Sequence, residues 1–185
     1  MSNELRAKSN ELTDMFKNII LTGFMGVGKT SVGTRLAQDL RYKFVDTDDL
    51  IEADQKTTIT EIFAKKGEPY FRDIEAKIIR RVVEGEGFVI STGGGAVIRD
   101  ENRAAFRKGG LVVCLTARPE VIYERIKHGT HRPLLRTEDP KAKIRELLEN
   151  RAKFYKEADL MIDTSEISVE DAIREIKEKV IYGRC

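Results

Sequence analysis

The sequence predicts an α/β fold, a three-layer α/β/α sandwich built on a five-stranded parallel sheet. Three observations predict it. Short apolar runs at residues 18–21, 42–45, 88–91, 111–115 and 160–162 have the length and composition of strands. Helix-length amphipathic segments separate them, so the strands need crossover connections and pair in parallel. A glycine-rich turn joins the first run to a helical pattern, beyond the carboxyl end of the strand, where ligands bind in such folds.

The remaining elements are marked in order along the chain. After the glycine turn, Val32, Leu36 and Leu40 lie on one helical stripe. Thr58 followed by Glu61 reads as a capping box, Pro69 belongs in the first turn of a helix, and Ser168 precedes the last helix. The tetrad Ser-Asn-Glu-Leu occurs at residues 2–5 and again at 9–12, and this polar stretch, residues 1–16, is expected to be a poorly ordered extension. Residues 17–185 then form one domain, which suits a chain of 185 residues with 41% hydrophobic content.

Composition argues against several classes of function. The 33 basic and 31 acidic residues nearly balance, so no global field points toward nucleic acid or an anionic membrane. Cys114 sits inside an apolar run and Cys185 at the C-terminus, without a CxxC pair or zinc-ligand spacing, so neither a disulfide framework nor a zinc site is expected. No stretch approaches the length that spans a bilayer. The expectation is a monomeric cytoplasmic protein.

The chemistry lies at the strand ends. Residues 23–30 read GFMGVGKT, the Walker A pattern of the P-loop kinase type. Glycines let backbone N–H groups close on phosphate oxygens while the helix presents its positive end, so Gly26, Val27, Gly28, Lys29, Thr30 and Ser31 are the candidate phosphate binders. Lys29 is placed to reach the β and γ phosphates of ATP, and the Thr30 hydroxyl to ligate Mg²⁺. The second run ends in Asp46-Thr47-Asp48-Asp49, where alternation sends Asp46 and Asp48 to one side. Asp46 is the candidate second metal ligand, and helix capping by Asp48 or Asp49 is the competing role for the cluster. The third run ends in Ser91-Thr92-Gly93-Gly94-Gly95, without the Asp that many P-loop proteins carry there. That shifts the metal task to Asp46, leaves Asp163 as an alternative acid, and frees three glycines for a ligand to approach bare backbone.

Arg72, Arg125, Arg132 and Arg151 are the candidate anion-binding side chains. Residues 118–153 carry ten Lys and Arg against six Asp and Glu. The aperiodic residues 128–139, with Gly129 and Pro133 between two helical patterns, read as a mobile lid.

From Asn18 to about residue 183 the chain resembles the shikimate kinases. The phosphate loop is followed by Asp46-Thr47-Asp48, then Phe71-Arg72-Asp73-Ile74-Glu75, then Gly93-Gly94-Gly95, then Arg132-Pro133-Leu134-Leu135, then Arg151 with Tyr155 and Ala158. The resemblance implies a fold like the nucleoside monophosphate kinases and transfer of the γ-phosphate of ATP to the 3-hydroxyl of shikimate, in the chorismate pathway to aromatic amino acids. It implies that Asp48, Arg72, the Gly93 to Gly95 backbone and Arg151 hold shikimate, that Arg132 belongs to the lid over ATP, and that Arg125 lies against the adenine. Lys29, Asp48 and Arg132 are the expected catalytic groups, and Thr30 with Asp46 the expected Mg²⁺ ligands. A nucleotide-dependent regulatory module of this fold would have no need for Asp48, Arg72 and Arg151 together. A gluconate or nucleoside monophosphate kinase is the nearest enzymatic alternative, and for a nucleotide acceptor a two-arginine carboxylate clamp is the wrong recognition chemistry.

Overall fold

The computed structural model describes residues 16–127 and 139–182. Strands β1 (Asn18–Thr22), β2 (Lys43–Asp46), β3 (Phe88–Ser91), β4 (Leu111–Thr116) and β5 (Leu160–Asp163) form one parallel sheet in the order β2-β3-β1-β4-β5. Helices α1 (Lys29–Leu40), α2 (Thr47–Gln55), α3 (Ile59–Glu84), α4 (Asp100–Gly109), α5 (Pro119–Ile126), α6 (Pro140–Tyr155) and α7 (Val169–Tyr182) connect and cover the strands, with a 3-10 turn at Ala96–Ile98. Each expected strand matches an observed one to within a residue at either end.

Strand alternation explains the layers. Ile19, Leu21, Val113 and Leu115 pack in one core with Val32, Leu36 and Leu40 of α1, Ile122 and Ile126 of α5, and Ile173 of α7. Their neighbours Ile20, Val112 and Cys114 pack in another with Ile79 of α3 and Phe106 of α4. Burial falls from the central strands to the edges: every residue of β1 is buried, whereas β2 has none buried and β5 only Ile162. Each fully buried Leu or Ile contributes about 1.5–3 kcal/mol relative to exposure.

Helix α3 is two helices in one. Gly67 breaks it at φ 79° and ψ 172°, so Pro69 does stand in the first turn of the second half. Thr58 and Glu61 exchange the two hydrogen bonds of a capping box at its start. Ser168 does the same with an aspartate: its hydroxyl accepts from the Asp171 N–H at 3.0 Å, and the Asp171 carboxylate accepts from the Ser168 N–H at 3.3 Å. Ile51, Ile62, Phe71, Ile74 and Ile78 give α2 and α3 a small core of their own.

Phe16, at the end of the expected extension, packs against the main core, and its carbonyl accepts from the Tyr42 hydroxyl at 3.0 Å. Residues 1–15 and Cys185 lie outside the described residues, and Cys114 is buried as a free thiol. Among the described residues no helix is long and apolar enough to cross a membrane.

Candidate active site

The strand order places the end of β1 between β3 and β4, so the chain leaves it at the point where successive crossovers diverge. The glycine loop fills that position. Gly28 caps α1 at φ 99°, in the left-handed region where a side chain is strained. It offers no capping side chain, and the first turn of α1 holds no acid, so the positive end of the helix is left for an anion. Lys29 folds back on the loop, donating to the Gly23 and Phe24 carbonyls at 2.9 and 3.0 Å. A cavity of about 570 Å³ opens there, lined by the whole expected set from Gly26 to Ser31 and by Asp46, Asp48, Gly93, Gly94 and Arg125.

Asp46 and Asp48 both reach this cavity, though by a different route from strand alternation. β2 stops at Asp46 and α2 starts at Thr47, so Asp46 is the helix cap and its Oδ1 accepts from the Asp48 N–H at 3.0 Å. Capping therefore falls to Asp46 and not to Asp48 or Asp49. Asp48 sits in the first helical turn with its Oδ1 buried and unpartnered. Burial raises its pKa to about 6, and the negative charges of Asp46 and Glu75 push the same way against Lys29.

Two of the three glycines make room for the protein's own side chains, and Gly94 lies against the backbone of the phosphate loop. A Cβ on Gly93 would come within 3.0 Å of both Asp48 Oδ1 and Glu75 Oε1. One on Gly95 would press to 2.5 Å on the Arg72 guanidinium. Arg72 is held there by Glu75 Oε2 at 2.8 Å and by Glu68 Oε1 at 2.9 Å. Arg151 approaches from α6, donating to the Gly94 carbonyl at 3.2 Å with its guanidinium 5.5 Å from the Phe24 ring centre. The two expected carboxylate-binding arginines thus reach adjacent glycines, Arg72 from α3 and Arg151 from α6, and neither lines the cavity itself.

Arg125 binds the Gly26 carbonyl at 3.3 Å and both the hydroxyl and the carbonyl of Thr164, at 3.1 and 2.6 Å. It lines the cavity together with Ile167 and Val169. Asp163 is turned to other work: its carboxylate accepts from the N–H of Ser165 at 2.8 Å and does not line the cavity, which leaves Asp46 and Asp48 as the acids that share it with Thr30. Arg132 and residues 128–138 of the expected lid lie outside the described residues. Asp139 is described, and caps α6 by accepting from the Ala142 N–H at 2.9 Å.

Sequence reasoning missed three contributors. Glu75 is fully buried, holds Arg72 and keeps Oε1 unpartnered; burial raises its pKa against the ion pair, and its signal was the spacing of three residues from Arg72. Thr47 is also fully buried, and its hydroxyl accepts from the Gly93 N–H at 3.3 Å. Thr164 donates toward the Val27 carbonyl of the phosphate loop at 2.9 Å; no sequence pattern marks it.

Thr30 and Asp46 are hard oxygen donors lining the same cavity as the phosphate loop. Among the described residues no group of three His, Cys, Asp or Glu could hold a metal by itself. That donor set fits a divalent cation whose other ligands come from nucleotide phosphates.

The sheet order and the glycine loop, with acids and arginines gathered beside it, define a P-loop phosphotransferase. The sequence model of the family described as "Shikimate kinase" matches residues 25–181. A curated shikimate kinase of Thermodesulfovibrio yellowstonii is 48% identical over 165 residues, 89% of this chain and 93% of the relative. One of Geobacter metallireducens is 48% identical over 160 residues, 86% of this chain and 89% of the relative. The structure of the Acinetobacter baumannii shikimate kinase in complex with shikimate superposes with a TM-score of 0.89 at 34% identity, covering 95% of this chain and 98% of that one. That of the Aquifex aeolicus shikimate kinase gives 0.75 at 38% identity, over 86% and 93%. This chain belongs to the shikimate kinase family.

Proposed function

We propose that the protein transfers the γ-phosphoryl group of ATP to the 3-hydroxyl of shikimate, with Mg²⁺ as its metal, acting as a monomer in the cytoplasm. The observation that carries the acceptor assignment is the placing of Arg151 at Gly94 and of Arg72 at Gly95, in the glycine segment that borders Asp48 and the phosphate loop. Two guanidinium groups suit a carboxylate, and a carboxylate acceptor suits a hydroxyl. The bound relative from Acinetobacter baumannii has shikimate as its ligand, which supports the same acceptor here.

The phosphate loop binds the triphosphate through backbone N–H groups, and Lys29 exchanges its loop carbonyls for phosphate oxygens. Thr30 and Asp46 would hold Mg²⁺, which supplies charge neutralisation on the phosphates. Arg125 faces the adenine. Asp48 orients the acceptor hydroxyl and accepts its proton as the phosphoryl group arrives; a carboxyl held at about 6 is a stronger base than an ordinary aspartate. The transition state is loose, so alignment and charge neutralisation by Lys29 and Arg132 matter more than base strength.

The regiochemical claim is tested by ³¹P NMR of the product from ATP, Mg²⁺ and shikimate. Phosphorus coupled to the C3 proton is expected; coupling to the C4 or C5 proton contradicts the pose.

A further inference from the structure

Tyr155 lies on α6 one turn beyond Arg151, with its ring buried in the core layer that includes Ile20, Val97 and Cys114. Its hydroxyl leaves that apolar layer at one point, donating to the Gly94 carbonyl at 2.7 Å. Arg151 donates to the same oxygen at 3.2 Å. A carbonyl oxygen has two lone pairs, so both are engaged by α6 and none remains for a ligand. The peptide is trans, and in a trans peptide the carbonyl and the following N–H point in opposite directions. Holding the Gly94 carbonyl toward α6 therefore directs the Gly95 N–H away from α6. Gly95 is the residue against which the Arg72 guanidinium packs.

We infer that Tyr155 is a positioning residue of the acceptor site, fixing the plane of the Gly94–Gly95 peptide and, through the shared oxygen, the seat of Arg151. The inference rests on the acceptor-site reading above. Burial pushes the Tyr155 hydroxyl up to about 12, so it stays a protonated donor across the working range of pH. The core itself gives no reason for the hydroxyl, since Phe would fill the same space in the apolar layer.

Tyr155→Phe in the full chain isolates the hydroxyl. Losing one of two donors to a loop carbonyl is expected to raise the KM for shikimate about 5- to 10-fold, with the KM for ATP within about twofold of wild type and Tm nearly unchanged. Faster amide exchange at Gly95 is expected with it, because the peptide plane is less constrained. An unchanged shikimate KM overturns the inference. So does a parallel rise of both KM values with a fall in Tm, the pattern of a merely structural tyrosine. Arg72→Ala, measured alongside, separates the two claims: if it raises the shikimate KM and Tyr155→Phe does not, this inference alone fails, and if neither does, the acceptor-site reading fails with it.

Discussion

Asp48 is a carboxylate short of partners: one oxygen is buried without a hydrogen bond, and two other acids lie close by. In the metal- and ligand-free protein its folded-state pKa, about 6, lies above the ordinary aspartate value of 3.8. The folded state therefore binds the proton more tightly, and its stability falls as pH rises through that window. Asp48→Asn removes the charge and is expected to stabilise the free protein by about 3 kcal/mol at pH 7.5, with most of the gain gone near pH 4. Thermal unfolding across pH reads this, and a gain equal at both ends would mean that the neighbours do not press on Asp48. Catalysis responds oppositely, because the amide cannot accept the hydroxyl proton. At the same scale, Arg72→Ala or Arg151→Ala is expected to raise the shikimate KM by the equivalent of about 2–5 kcal/mol with little change for ATP. Equal losses for both substrates would break the clamp.

The glycine segment after β3 is the element in which sequence and structure diverge most instructively. Three glycines in a row were legible as a place of close approach, but the sequence could not say what approaches. The answer is Arg72 at Gly95 and the Asp48 and Glu75 carboxylates at Gly93, all brought from distant positions by tertiary packing. Gly95 itself has φ −99° and ψ −4°, a conformation any residue adopts. Gly95→Ala is therefore expected to fold with a Tm near wild type and yet raise the shikimate KM about tenfold by displacing the guanidinium. A loss of stability with unchanged KM would show that the contact is only packing. The strands and the phosphate loop were readable because alternation and glycine spacing are local signals. The end of β2 was misread for the same reason: Asp46 caps a helix that starts one residue later, and period-two reasoning does not see the switch. Thr164 carries no local signal at all, since its role exists only once the end of β5 is folded against the phosphate loop. Glu75 shows its pairing with Arg72 in their three-residue spacing, but not its burial against Gly93.

At the scale of the whole molecule, the sheet order gathers the ends of β1, β2 and β3 around one cavity, and α2 brings Asp48 to its wall. Metal dependence tests that gathering, because Thr30 and Asp46 come from different crossovers. Asp46→Asn is expected to lose activity most at low Mg²⁺ and to recover partly as Mg²⁺ is raised; a defect independent of Mg²⁺ would take Asp46 out of the metal role. The central claim is that this cavity phosphorylates a small hydroxylated carboxylic acid. Its most direct test is ADP release, coupled to a spectroscopic readout, with ATP and Mg²⁺ and each of shikimate, gluconate and the nucleoside monophosphates as acceptor. Turnover with shikimate at a kcat/KM more than about a hundredfold above the others is the predicted result. Preference for gluconate or a nucleotide, or ADP release that no acceptor stimulates, would contradict it.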